Sequence, residues 1–188
     1  MINTARLLRA LCNYAPYEHA KPFLAGVHIA RPNETDVVFE ASVGTTAIRV
    51  ALTKHDVALM FVPVGTDVIL CKASLEGVLL NYDDEANPAL LIDGQDVMID
   101  SHAVKTLSEP YGNITRAINP NVPCKAEAVH LNLELITAVT LAMADIMRGD
   151  GKFVAKFESR GRDESQMISV TTNDGDLLTA VVMPVRTV

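Results

Sequence analysis

Apolar positions along the chain switch between two spacings. From Thr4 to Tyr14, Leu7, Leu8 and Leu11 share one helical face while Arg6, Arg9 and Asn13 fall off it, which predicts an amphipathic helix. Asn3 or Thr4 supplies the cap, and Pro16 and Pro22 close the element and open a loop. Strand-like runs follow at 26–30, 37–43 and 46–53. In the second, Val37, Phe39, Ala41 and Val43 alternate with Val38, Glu40 and Ser42, the pattern of a half-buried strand.

The same succession then returns. Runs at 57–62 and 67–71 read as strands, and 73–82 as a helix with Leu75, Val78, Leu79 and Tyr82 on one face. The acidic stretch 83–88 reads as a solvated turn, followed by a hairpin over 89–92 and 96–100 and a strand over 103–107. Residues 109–125 hold three prolines and no periodicity, the mark of a connector. A strand over 128–133 and a helix over 134–147 come next, the helix burying Leu135, Ile136, Val139, Ala142, Met143 and Ile146. Strands over 152–159, 167–172 and 177–183 complete the chain. Helices thus begin near residues 4, 73 and 134, each followed by three strands. A strand–helix–three-strand unit repeated about every 60 residues predicts an α+β protein, with antiparallel sheets and helices on one face. Residues 1–122 form two such units, split near 56, and residues 123–188 a third.

Leu177 to Val182 is apolar on both faces, as in a strand buried on two sides. Pro184 lacks an N–H and should end its pairing. An apolar tail, Val185-Arg-Thr-Val188, follows.

Composition narrows the functions available. The 188 residues are 49% hydrophobic and 21% charged, with no Trp and no apolar run of membrane-spanning length. The N-terminus lacks the basic start and apolar centre of a signal peptide. Cys12, Cys71 and Cys124 are odd in number and far apart, the usage of small buried residues in a reducing compartment. The net charge of −7 is uneven: residues 1–54 carry +2, residues 55–144 carry −8 and the remainder −1. That excludes a uniformly basic nucleic-acid binder, but not one positive surface on an acidic body.

Catalytic chemistry has no foothold in the pattern. No phosphate-cradling glycine loop or dinucleotide fingerprint is present, and His19, His28, His55, His102 and His130 stand singly. Asp93, Asp96 and Asp100 straddle a hairpin, where turn chemistry accounts for them. Ser42, Ser101 and Ser159 lack a nucleophile elbow. The chain reads as a non-enzyme with no cofactor and no metal.

One resemblance emerges from specific residues. The tail Ala180-Val-Val-Met-Pro-Val-Arg186 resembles the C-terminal signature of the bacterial β sliding clamp, the processivity subunit of the replicative DNA polymerase (DNA polymerase III beta). Three further stretches are similar to clamp segments: Ala128-Val-His-Leu-Asn-Leu-Glu-Leu-Ile-Thr-Ala-Val139, Asn113-Ile-Thr-Arg-Ala-Ile-Asn-Pro120 and Lys21-Pro-Phe-Leu-Ala-Gly-Val-His-Ile29. The resemblance implies a DNA-clamp-like fold of stacked units, helices lining a hole and sheets outside. It further implies a cytoplasmic homo-oligomer, ring, tetramer or dimer, that holds double-stranded DNA without reading sequence. Polymerase or repair-protein peptides would dock in an apolar cleft. On this resemblance Arg6, Arg9, Lys72 and Arg148 face DNA phosphates. Val181, Met183, Pro184, Val185 and Arg186 form the tail side of the cleft, and Arg116 and Ile118 its connector side.

The departures are specific too. A clamp chain carries six units and this one three, so four chains would make twelve, with the third unit finding its sheet partner in a neighbour. Glu134 and Asp145 lie on the third helix, where carboxylates repel phosphate. The alternative is a clamp-fold protein-interaction module that does not encircle DNA.

Overall fold

A computed structural model describes residues 2–17, 21–53, 59, 61–111, 131–148, 154–161 and 164–184. Among these lie three helices, α1 (Thr4–Tyr14), α2 (Lys72–Leu79) and α3 (Leu133–Ile146). The strands are β1 (Gly26–Ala30), β2 (Val37–Ser42), β3 (Thr46–Leu52), β4 (Asp67–Cys71), β5 (Leu90–Asp93), β6 (Asp96–Ile99), β7 (His102–Val104), β8 (Thr106–Leu107), β9 (Lys156–Glu158), β10 (Gln166–Thr171) and β11 (Leu177–Val182). Eight of them form one sheet in the order β8-β4-β1-β2-β3-β11-β10-β9, and β5-β6-β7 form a second. Every pairing between neighbours is antiparallel.

The third unit does not look to a neighbouring chain for its partner, as the unit arithmetic had implied. β11 pairs β3 of the first unit in the same chain, from Leu177 opposite Ala51 to Val182 opposite Thr46. The sheet therefore runs without a break from the first 122 residues into the last 66 (123–188).

Alternation decides which side chains meet the helices. Val27, Ile29, Phe39, Ala41, Ile48, Val50, Leu178, Ala180 and Val182 belong to one hydrophobic core, shared with Leu7, Leu8 and Leu11 of α1 and Val139, Met143 and Ile146 of α3. Leu135, Ile136 and Ala142, expected in the buried set of α3, pack against that core while only partly buried. α1 lies between the other two helices and packs against each.

β2 departs from the half-buried expectation, because all six of its residues are buried. Its polar members are satisfied on the outer face, as described below. The single strand expected over 103–107 divides at Lys105. The Lys105 N–H bonds Ser74 Oγ at 2.9 Å and its carbonyl accepts from Cys71 N at 2.8 Å, so β7 pairs in the small sheet and β8 in the large one. The strand expected over 57–62 is not formed at its described residues: Val62 N donates to Leu59 O in a turn. The strand expected over 128–133 falls mostly outside the described residues.

Gly26 marks a close approach in this sheet. A Cβ there would stand 2.3 Å from Leu70 O, a backbone atom that cannot swing away, whereas a Cβ at Gly77 on α2 meets nothing within 4 Å. Gly26→Ala is therefore expected to destabilise the fold by about 1–3 kcal/mol. Gly77→Ala, in the middle of an exposed helix face, should stabilise it by about 1 kcal/mol. Urea unfolding midpoints of the two variants check the opposite signs; a shared sign contradicts the packing described.

Candidate functional site

Helix ends leave backbone groups without partners, and three such ends meet around α1. The N-terminus of α1 is not capped by Asn3 or Thr4. Thr4 N donates to Asn87 Oδ1 at 2.9 Å and Ala5 N to Ala86 O at 3.2 Å, both acceptors lying in the turn after α2. One turn on, Arg6 donates to the Glu85 carboxylate and to the carbonyl of Arg148, beyond the end of α3. Arg9 bonds the Asp84 carboxylate and reaches the carbonyls of Leu79 at 2.9 Å and Tyr82 at 2.7 Å, at the end of α2. Arg148 is 2.5 Å from Asp145 and 3.8 Å from Asp84. A cavity of about 170 Å³ between these elements is lined by Arg6, Arg9, Arg148, Asn13, Asp84 and Asp145.

Three of the four cations assigned to phosphate are thus brought together, and the fourth is not. Lys72 is buried elsewhere: its Nζ donates to Ala15 O at 2.6 Å, lies 3.7 Å from Glu76 and sits 4.0 Å above the Tyr17 ring. Arg6, placed by periodicity on the polar face of α1, is also buried. The reason is geometric, since its guanidinium completes the C-terminal carbonyl of one element and the carboxylate of another. Arg9 is half-buried and Arg148 is exposed. The acidic turn, expected to be solvated, holds both arginines of α1. Its signal in the sequence was the pairing of Arg6-x-x-Arg9 with Asp84-Glu85 about 80 positions on, legible only after folding.

At the carboxyl end β11 stops where Pro184 requires. Met183 N makes the last bond, to Thr45 O at 3.0 Å. Val181 is buried between Met167 and Ala47 on the neighbouring strands, Met183 is exposed and Pro184 half-buried. Val185, Arg186, Arg116 and Ile118 lie outside the described residues.

The outer face of the large sheet carries a second polar cluster. His28 Nδ1 is 2.9 Å from Glu40 Oε2 and Nε2 is 2.7 Å from Asp67 Oδ1, while Glu40 Oε1 is 3.3 Å from Arg49. Tyr111 stacks on the imidazole at 4.1 Å and 12°. Burial, with Glu40 adding to it, pushes the Tyr111 phenol far above its ordinary value. The two carboxylates sit at opposite ring nitrogens and share no point where a substrate atom or ion could be held. This cluster satisfies the polar residues of a buried sheet face. Among the described residues no three His, Cys, Asp or Glu side chains are arranged to hold a metal.

By sequence, no protein family's profile and no curated protein matches the chain. Solved structures do. The Helicobacter pylori β clamp in complex with diflunisal superposes with a TM-score of 0.72 at 11% identity, over 99% of this chain and 65% of the clamp. The fold is that of a bacterial sliding clamp. The H. pylori clamp bound to a DNA ligase peptide gives 0.70 at 12% identity, over 99% and 65%. The β subunit of Streptococcus pyogenes DNA polymerase gives 0.62 at 14%, over 100% and 66%. The chain therefore spans about two thirds of these clamps' length.

The interlock at α1 has a measurable consequence. Arg6→Met should destabilise the protein by about 1–3 kcal/mol, because the Arg148 carbonyl loses its buried donor. Arg148→Met, whose side chain is exposed, should cost under about 1 kcal/mol. Equilibrium unfolding of both variants checks the ranking, and equal losses would contradict a structural role for Arg6. Burial also pushes the Cys12 thiol up to about 12. Cys12 should therefore resist iodoacetamide at pH 8 in the native protein and react after unfolding, as read by peptide mass spectrometry.

Proposed function

We propose that this protein is a sliding-clamp-like, non-enzymatic scaffold of DNA replication or repair, which docks partner peptides beside β11. The observation that carries the reading is the match of nearly the whole chain to clamps, one of them bound to a DNA ligase peptide. Met183, exposed at the end of β11 and next to Pro184, supplies an apolar anchor on the tail side of the cleft. Val181 supports it from below, and Val185, Arg186, Arg116 and Ile118 complete the site. Residues 1–122 act as a two-unit domain and 123–188 as a third unit fastened to it through β3 and β11.

The finer reading is a processivity factor: a cytoplasmic homo-oligomer closed around double-stranded DNA, with Arg9 and Arg148 offered to phosphates, while Arg6 and Lys72 contribute only through the field they set up. A second reading keeps the scaffold and drops encirclement. It is favoured by the burial of Arg6 and Lys72 and by the exposed carboxylates Glu134 and Asp145 on α3. A protein that tracks phosphates needs mobile cations at its surface, and among the described residues the helix layer engages its own in internal ion pairs and hydrogen bonds.

Two measurements test this. A fluorescent clamp-binding peptide of the polymerase or ligase type should bind the wild type, and Met183→Glu should weaken it about tenfold or more. Absence of peptide binding would remove the scaffold reading. Retention on nicked circular DNA, lost on linearisation, selects the processivity factor; no retention on either form selects the interaction module.

A further inference from the structure

The helix layer has a surface unlike one built to face phosphates. Leu80, just past the end of α2, is 87% exposed, and Leu133 and Leu141 on α3 are 74% and 63% exposed. α1 between them is sunken, with Ala10 buried and Asn13 its exposed point. A furrow of about 450 Å³ runs between α1 and α2, past Cys12, Ala73, Gly77 and Leu80. Another of about 300 Å³ runs between α1 and α3, past Ala10, Tyr14, Leu135, Ala138 and Leu141. Together they make a trough with α1 as floor and the exposed leucines on its walls. Gly77 and Ala73 leave room at one wall, Ala138 and Ala142 at the other.

The rim is acidic. Among the described residues of the three helices and the turns that close α2 and α3 stand Glu76, Asp83, Asp84, Glu85, Glu134 and Asp145. Four cations oppose these six carboxylates: Arg6 pairs with Glu85, Lys72 with Glu76, Arg9 with Asp84 and Arg148 with Asp145, so the face keeps a net negative charge, carried by the exposed Asp83 and Glu134. A second copy placed face to face would bring one acidic rim against another, so self-association is disfavoured. Duplex DNA meets the same repulsion and has nothing to gain from leucine. An amphipathic helix with leucine-like side chains on one face and lysine or arginine on its flanks suits both the leucine-walled furrows and the rim.

We propose that the trough over α1, walled by Leu80 and Leu141, docks a basic amphipathic helix of a partner protein. This inference rests on the interaction-module reading and adds to it a docking surface separate from the β11 cleft. α3 is 14 residues long. A docked helix of about 18 residues, roughly 27 Å, therefore covers its length.

The test uses the full chain and a labelled 18-residue Leu/Lys amphipathic peptide, with a Leu/Glu peptide and a scrambled Leu/Lys peptide of unchanged composition as controls. Saturable binding of the Leu/Lys helix alone is expected, weakened about tenfold or more by the double substitution Leu80→Lys, Leu141→Lys. Val154→Lys, at another exposed apolar position, should leave it unchanged. Because Leu80 and Leu141 are exposed, the double variant should keep the wild-type melting temperature, which is measured alongside. Equal binding of the scrambled peptide, indifference to the double substitution, or no binding overturns the proposal. So does self-association of the wild type abolished by the double substitution, which assigns the face to a second copy. The circular-DNA assay is independent: retention removes the interaction-module reading, whereas failed peptide binding without retention removes only this docking surface.

Discussion

Every helix in this fold ends with donors or acceptors that water would otherwise have to satisfy, and the chain answers three such ends in one place. The turn after α2 gives its acceptors to the amides at the start of α1. α1 in turn sends Arg6 and Arg9 to the carbonyls at the ends of α3 and α2. Each guanidinium bridges a helix end and a carboxylate, which is a task for a planar, multi-donor cation and a poor one for lysine. The three units are thereby tied through α1 on the helical side of the molecule.

On the other side the tie is the sheet. The pairing of β3 with β11 joins residues more than 120 positions apart. Ala180 and Val182 then enter the same core as Ile48 and Val50. A strand pairing of such sequence separation costs loop-closure entropy before any contact repays it. The apolar character of β11 on both faces is what repays it, since its inner side meets the helices and Val181 is covered between Met167 and Ala47.

These two ties bear directly on function. A clamp-like body needs its units joined, and the shared sheet and the contacts of α1 join them here. A phosphate-tracking surface needs free positive charge, and the same arginines that make the interlock are withdrawn from it. Among the described residues, the interlock and any attraction to phosphate would draw on one small set of cations. The helix layer that results is apolar in its furrows and acidic at its rim, properties suited to a protein partner.

Local pattern sufficed for much of this molecule. The leucines of α1, the alternation of the strands, the stop at Pro184 and the repeated unit are each set by neighbours a few residues away, which periodicity reports. The clamp-like fold was legible through the resemblance that a short run of specific residues carries. Other features escaped for one shared reason. Periodicity places Arg6 on a polar face, yet it is buried; alternation makes β2 half-buried, yet it is covered on both sides; and the acidic turn, solvated by composition, grips α1. Each of these depends on a partner on another element: Glu85 and the Arg148 carbonyl for Arg6, His28 and Arg49 for Glu40, α1 for the turn. Helix and strand follow from spacing along the chain. Whether a charge faces water or another charge is settled by which distant segments the sheet brings side by side, because burial and pairing are properties of the packed whole.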